Sequence, residues 1–540
     1  MAYSGALRWL AAWAVLVGAA IVMRPLMPLD ETRYLGVAWE MWTSGNLIVP
    51  HINGEPYSHK PPVLFWLINA AWAVFGPTEV VARLVAPTVG LACLGMTQVL
   101  ARLWWPDRPE IAANAPWVLL GTLLFTVTTT LSMFDTLVAL WTLVGLAGLS
   151  LMSRHVTGSW RRFVLGVVGF GVAIGLGVLS KGPVVAVFLL PAALLAFLWR
   201  RSPEDRHWGR WALGVVGGLV LAAVIALAWA LPAAEAGGAA FERAIFWGQT
   251  SDRVAGGFSH ARPFWWYLPV LFAVFFPWLL VPGLWAAVRR ARWREDQGLR
   301  LLAVCVLGAI VVLSLFTDKQ PHYLVPAASA FALIVARLAS DPGRWQAGWL
   351  PMGLVAAIGL AASGLALWCV LIGPPRFAQS LPRESFWWLG ALGAMALIVA
   401  LLGRGRGDVV RALRRPALAI VTLVVAVHLT LAPVAAPLYD LETAAKKVAA
   451  LQTDQRPVAY VGKYHNQFRF LGRLRAPLDT IDGDEVADWF GHHPGGVVIY
   501  LHRELSSTGP RPLFEQDFRS RTLAFWERDA ALAEPGRFMR

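Results

Sequence analysis

Lysine is nearly missing from most of this sequence. Before residue 437 there are three, Lys60, Lys181 and Lys319, although lysine and arginine together number 47 in the 540 residues. Cysteine is equally scarce, and Cys93, Cys305 and Cys369 all lie inside apolar runs. That arrangement excludes a disulfide framework and a zinc-type cysteine spacing. Charge is sparse too: 15% of residues are charged against 57% hydrophobic, a balance that excludes an ordinary soluble domain. The net charge of +14 comes from arginine beside the apolar runs, so it reads as membrane-flanking loops and not as a nucleic-acid face. No P-loop, no strand-linked GxGxxG, no internal repeat and no low-complexity segment is present.

What the chain does have is a series of apolar runs of about 20 residues, each long enough to cross a hydrocarbon core of roughly 30 Å. Thirteen spans are predicted, near 7–24, 79–100, 113–131, 133–152, 162–180, 182–199, 211–232, 264–288, 299–316, 321–339, 347–373, 385–402 and 416–436. The first lacks a small-x-small cleavage site and reads as a retained span. Residues 62–76 begin at the second of two prolines, Pro61-Pro62, and are short, so they are predicted to lie at the interface.

With thirteen spans the arginine-rich loops Arg154–Arg162, Arg200–Arg210, Arg289–Arg300 and Arg404–Arg415 share one side, the cytoplasmic side by the positive-inside rule. The expected organisation is a transmembrane domain over 1–436, with periplasmic segments 25–78 and 233–263. A small periplasmic α/β domain over 437–540 follows. Within it, Arg456–Val461, Gly496–Leu501 and Leu523–Trp526 read as strands and Glu442–Leu451 as a helix.

The outer side gathers the ionisable residues. Asp30 and Glu31 follow the first span directly; they suit cation binding or proton acceptance, or simply the first turn of a helix. In PHINGEPYSHKPP, residues 50–62, Tyr57, His59 and Lys60 arrive against Pro61-Pro62. A lysine beside a helix N-terminus suits a phosphate, or it snorkels to head groups. Asp135 sits at a tight turn between spans, as a functional acid or a cap. Lys181 and Lys319 sit at similar turns; Arg262 and His260 precede another span, and Tyr323 opens the tenth. Cations, a few acids and adjoining membrane suit an anionic lipid head group. A transporter or flippase would share these features but should show repeats and polar helices at mid-membrane.

Asp30-Glu31-Thr32-Arg33-Tyr34, Pro50-His51-Ile52-Asn53-Gly54 and His59-Lys60-Pro61-Pro62 with Phe65-Trp66-Leu67 resemble the GT-C glycosyltransferases of the aminoarabinose transferase and protein O-mannosyltransferase group. Leu179-Ser180-Lys181-Gly182 resembles that group's L-[TS]-K-G signature, and Lys319–Pro326 its K-x-x-x-Y-x-x-P element. The resemblance implies an inverting enzyme that moves a sugar from a polyprenyl (undecaprenyl) phosphate carrier to lipid A, a glycan or a protein. It would act as a monomer at the periplasmic face of the inner membrane, with no nucleic-acid partner. It implies catalytic roles for Asp30 and Asp135, with Glu31 in support. It places Tyr57, Lys60, Arg262 and Tyr323 around the carrier phosphate, with Lys181 and Lys319 as further cations. His260 matches a histidine of a metal site; with His59, where the group usually has Glu, it is the candidate ligand pair for a divalent ion such as zinc.

Overall fold

The computed structural model describes residues 2–200, 207–248, 261–341, 350–373, 384–402, 409–503 and 509–539. They form two compact units. One comprises Met1–Val22, His59–Leu64 and Arg83–Leu431; the other comprises Met23–Ser58, Phe65–Ala82 and Ala432–Arg540.

The first unit is helical, and most of the apolar helices lie in it; Val63–Phe75 falls mainly in the second. Among the described residues nine helices are long and apolar enough to cross a membrane, and four shorter apolar helices, Leu7–Met23, Val63–Phe75, Val184–Leu194 and Phe264–Val274, accompany them. The protein is a polytopic α-helical membrane protein, as its hydropathy requires. Val63–Phe75, at 13 residues, is about 20 Å long and falls short of the hydrocarbon core.

Two spans expected to be continuous are broken. Residues 113–131 form Pro109–Leu120 and then the short helix Leu123–Thr128. Residues 264–288 form Phe264–Trp266, Tyr267–Val274, Trp278–Leu280 and Pro282–Arg290. The breaks satisfy one another. Leu123 N–H donates to Phe276 O at 2.9 Å. Trp278 Nε1 donates to Val118 O at 3.1 Å and to Thr122 Oγ1 at 3.0 Å. Backbone freed inside a bilayer needs such partners. Gly121 lies at the first break because a Cβ there would come within 2.4 Å of Ala417 Cα.

Close helix approach elsewhere also rests on glycine. Gly148 of Asp135–Arg154 and Gly166 of Trp160–Lys181 face each other, and a Cβ on either would meet the other's carbonyl oxygen at 2.7 Å. Small residues let backbones in membranes pack directly. This contact sets the register in which Asp135 and Lys181 meet.

Arginine and tryptophan gather at the end of the unit remote from those two residues. Arg154 stacks on Trp104, Arg200 on Trp208 and Trp211, and Arg210 on Trp160. Arg337 pairs with Asp296 at 2.7 Å, and Arg300 donates to Trp199 O at 2.8 Å. Arginine and indole at helix ends are the usual interfacial anchors.

The second unit is built on a five-stranded mixed sheet. Strands β1 (His51–Ile52) and β2 (Glu55–Pro56) form a separate hairpin; the sheet consists of β3 (Val458–Val461), β4 (Asp479–Ile481), β5 (Val497–His502), β6 (Phe514–Phe518) and β7 (Arg521–Glu527). Its order is β4-β3-β5-β7-β6, with β3 parallel to β4 and β5, and β7 antiparallel to β5 and β6. Alternate residues enter two cores. Val458, Tyr460, Val497, Ile499, Leu523 and Phe525 pack with helix Glu442–Thr453. Ala459, Val461, Val498, Ala524 and Trp526 pack with Val486–His492. A sheet covered on both faces reads as unbroken apolar runs, and this is why β3, β5 and β7 were visible in sequence.

Helix Asp30–Ser44 joins this unit through Glu40, which is buried. The Glu40 carboxylate accepts from Asn53 N at 2.8 Å, Gly54 N at 2.9 Å and Asn466 Nδ2 at 2.6 Å, and it pairs with Arg469. Trp39 Nε1 adds a bond to Leu474 O at 3.0 Å.

Candidate active site

The helical unit holds His59, Lys60, Asp135, Lys181, Arg262, Lys319 and Tyr323; the second unit holds Asp30, Glu31 and Tyr57. Asp135 opens its helix and Lys181 closes its own, so each charge sits at the helix end whose dipole favours it. Gly182, at φ 71°, ends the Lys181 helix with its N–H on Val178 O. Lys181 Nζ donates to Asp135 Oδ1 at 2.7 Å, with the Asp135 side chain buried and that of Lys181 largely so. Asp135 Oδ2 is buried with no hydrogen-bond partner among the described residues.

The pair continues into the turn before the tenth predicted span. Lys181 Nζ lies 5.0 Å from the centre of the Tyr323 ring, and Tyr323 OH donates to Asp318 Oδ2 at 2.6 Å. Lys319 is buried beside them. Its ammonium donates to Arg262 O at 3.0 Å and to Phe316 O. Burial lowers the Lys319 pKa, while neighbouring Asp318 works the other way. The Arg262 segment is further held by Arg262 N–H on Thr317 O and a bridge between Ala261 and Asp318. Lys319 thus positions a strand-like segment from which the Arg262 side chain stands exposed. His59 is exposed and Lys60 half-buried at the turn leading into Val63–Phe75.

Asp30 and Glu31 are adjacent in sequence but differ in setting. Glu31 is buried; it pairs with Arg24 and accepts from Met27 N at 2.9 Å. Asp30 is 53% exposed, pairs with Arg33 and accepts from Tyr34 OH at 3.2 Å. Both contacts fall on Oδ1, and no described residue is recorded on Oδ2. Tyr57 is buried near Arg33. Burial pushes its hydroxyl pKa up to about 12, against the pull of the guanidinium.

Arg24 and Asp318 carry no signal in the sequence, and Arg33 and Tyr34 stand in its motif without a role of their own. The i,i+3 spacing of Asp30 and Arg33 was a usable signal for one of them. Among the described residues no three His, Cys, Asp or Glu side chains converge on a cation position. His260 lies outside the described residues. The described residues do not by themselves assemble a metal site. A cavity of about 800 Å³ lined by Trp104, Arg154, Asp296 and Arg337 lies at the arginine end and contains none of the expected site residues.

Residues 59–229 match the family described as dolichyl-phosphate-mannose-protein mannosyltransferase. The undecaprenyl phosphate-α-4-amino-4-deoxy-L-arabinose arabinosyl transferase 2 of Sodalis glossinidius is 33% identical over 387 residues, 68% of this chain and 66% of that one. The corresponding Pseudomonas aeruginosa transferase is 31% identical over 378 residues, 68% and 65% of the two chains. The crystal structure of ArnT from Cupriavidus metallidurans superposes with a TM-score of 0.76 at 20% identity, over 96% of this chain and 97% of that chain. The chain belongs to the GT-C glycosyltransferase group of the aminoarabinose transferases. It shares that group's fold nearly end to end. In sequence it spans about three fifths of the relative from Proteus mirabilis, at 28% identity.

Proposed function

We propose that this protein moves a sugar from a polyprenyl-phosphate carrier to an acceptor in the cell envelope, at the periplasmic face of the inner membrane. The observation that carries the proposal is the linked set Asp135, Lys181, Tyr323 and Asp318, with Arg262 held nearby by Lys319. These ionisable groups occupy the end of the helical unit opposite its arginine and tryptophan anchors. A head-group phosphate at that end meets cations while its tail stays in lipid. Relatives named as transferases of an undecaprenyl phosphate-linked sugar support the same reading, and the Cupriavidus structure has also been obtained bound to undecaprenyl phosphate. The arginine-rich end is then cytoplasmic.

In the proposed reaction an acceptor oxygen attacks the anomeric carbon, the bond from that carbon to the phosphate oxygen breaks, and polyprenyl phosphate leaves. One displacement inverts the anomeric configuration. Lys60 and Arg262 stabilise the charge that grows on the departing phosphate, and Lys181 and Tyr323 border it. The unfilled acceptor position on Asp135 Oδ2 takes a hydroxyl of the donor sugar. Asp30, whose Oδ1 is oriented by Arg33 and Tyr34, presents Oδ2 to the acceptor and takes its proton when the acceptor is a hydroxyl. Glu31 anchors the start of that helix through Arg24, and Lys319 is a positioning residue.

The test is Asp30→Asn in proteoliposomes supplied with a lipid-linked sugar. Loss of general-base chemistry lowers turnover by about 10²–10⁴-fold. Undiminished transfer by this variant overturns the catalytic role of Asp30.

A further inference from the structure

Glu40 is a buried carboxylate that the proposed reaction does not use. On helix Asp30–Ser44 it falls in line with Arg33 and Gly36, at i, i+3 and i+7, so the three share one face. Arg33 and Glu40 are two turns, or about 10 Å, apart along it. The hairpin of β1 and β2 is attached to the helix at both of these points. Its two-residue tip, Asn53-Gly54, has φ of 54° and 86°, the positive pair that a tight hairpin of this kind requires. Its two successive N–H groups each meet a different oxygen of Glu40, Asn53 N–H on Oε1 and Gly54 N–H on Oε2. The hairpin closes with Tyr57 N–H on Pro50 O at 2.7 Å, and Tyr57 arrives beside Arg33, the residue that pairs with Asp30.

The segment between β3 and β4 completes the hold. Asn466 Nδ2 and Arg469 Nε reach the same carboxylate. Gly36 lies so near Asn466 that a Cβ on it would come within 3.0 Å. Asn53 bonds the backbone of Leu478 twice, its Nδ2 donating to Leu478 O and its Oδ1 accepting from Leu478 N, each at 2.8 Å. All of these residues belong to one compact unit. Among the described residues, every group bonded to Glu40 is a donor. The position therefore calls for a side chain that only accepts. A carboxylate does so; a carboxamide of the same shape brings donors of its own.

We infer that Glu40 is a positioning residue for transfer: it holds the Tyr57 hairpin and the Asp30 helix in one register, and so sets the base against the tyrosine expected beside the carrier phosphate. The inference rests on the transferase reading above and deepens it. Glu40 touches no substrate and acts through Asp30 and Tyr57.

The test compares Glu40→Gln, Glu40→Asp and the pair Glu40→Gln/Arg469→Met in the full chain. The pair removes both buried charges together, so it is expected to fold where Glu40→Gln alone strands a guanidinium. The first readout is backbone hydrogen exchange in nanodiscs without donor. Peptides covering residues 50–58 are expected to exchange about 10-fold or more faster in the pair, with those of β5 and β7 unchanged. Unchanged exchange over 50–58 overturns the proposal, whether or not transfer occurs. The second readout is turnover in the proteoliposome assay. The pair is expected to lower kcat about 10-fold or more with its stability kept. Glu40→Asp, which keeps the acceptor-only chemistry, is expected to retain more turnover than Glu40→Gln, which keeps the shape. Undiminished kcat in the pair, or Glu40→Gln more active than Glu40→Asp, reduces Glu40 to a packing residue and overturns the proposal. Absence of transfer by the unsubstituted chain overturns the transferase reading instead, and the exchange result still decides whether Glu40 holds the hairpin.

Discussion

The Asp135–Lys181 pair separates a structural contribution from a chemical one. Asp135→Asn leaves the Lys181 ammonium, 10% exposed, with no counter-charge; Lys181→Met leaves the Asp135 carboxylate, 4% exposed, equally stranded. Breaking a buried pair from either side costs about 3–5 kcal/mol, while replacing both charges at once is close to neutral. The double variant is therefore expected to recover most of the stability lost by either single one, with a coupling of about 3 kcal/mol. Unfolding of each variant in a detergent titration, followed by tryptophan fluorescence, reads the three changes. Additivity within about 0.5 kcal/mol would refute the claim that these charges depend on each other. Transfer is expected to behave differently. In the proposed reaction Lys181 borders the donor phosphate and Asp135 the donor sugar, so the double variant is expected to regain stability and stay inactive. Recovery of both properties together reduces the pair to a purely structural one.

Two further perturbations follow from local geometry. His502 is buried in the second unit and its Nε2 accepts from Trp526 Nε1 at 2.9 Å; burial first, then the charge of Arg537, lowers its pKa from 6.5 to about 4. The folded state resists protonation, so this contribution to stability is present above pH 6.5 and is lost as pH falls from there to about 4. Trp526 fluorescence against denaturant at several pH values should show that loss, and His502→Phe should flatten it; an unchanged slope refutes the assignment. Gly121→Ala drives a methyl into Ala417, 2.4 Å from its Cα, and should destabilise the helical unit by about 1–3 kcal/mol. Adding Ala417→Gly should restore part of that in the same detergent titration; no rescue means that the strain lies elsewhere.

The elements legible in the sequence were those whose surroundings are uniform. Long apolar helices face lipid or one another, so hydropathy alone finds them. The central strands β3, β5 and β7 are covered on both faces and stand out for the same reason. The edge strands did not: β6 reads Phe-Glu-Gln-Asp-Phe and β4 is three largely exposed residues, as unpaired edges tend to be. The breaks at 120–123 and 275–281 were hidden because a hydropathy window registers apolar content only. It does not see the Trp278 indole donating to Val118 O, or Ala417 lying against Gly121.

The same limit governs the site. Rarity picked out the three lysines, but rarity says nothing of what an ammonium touches. Lys181 meets a carboxylate and an aromatic face, whereas Lys319 meets two carbonyl oxygens and fixes the backbone of Arg262. Asp30 and Glu31 illustrate the point most sharply. Successive residues on a helix point about 100° apart, so a doublet of acids is two separate environments. Glu31 turns inward to Arg24 and the Met27 amide and secures the entry of the helix. Asp30 turns outward, steadied on one oxygen by Arg33 and Tyr34. The doublet therefore consists of a buried anchor and an exposed carboxylate held on one oxygen; in the proposed reaction that carboxylate is the base, which must be held still to meet an acceptor, so the residue that secures its helix must itself be buried and paired.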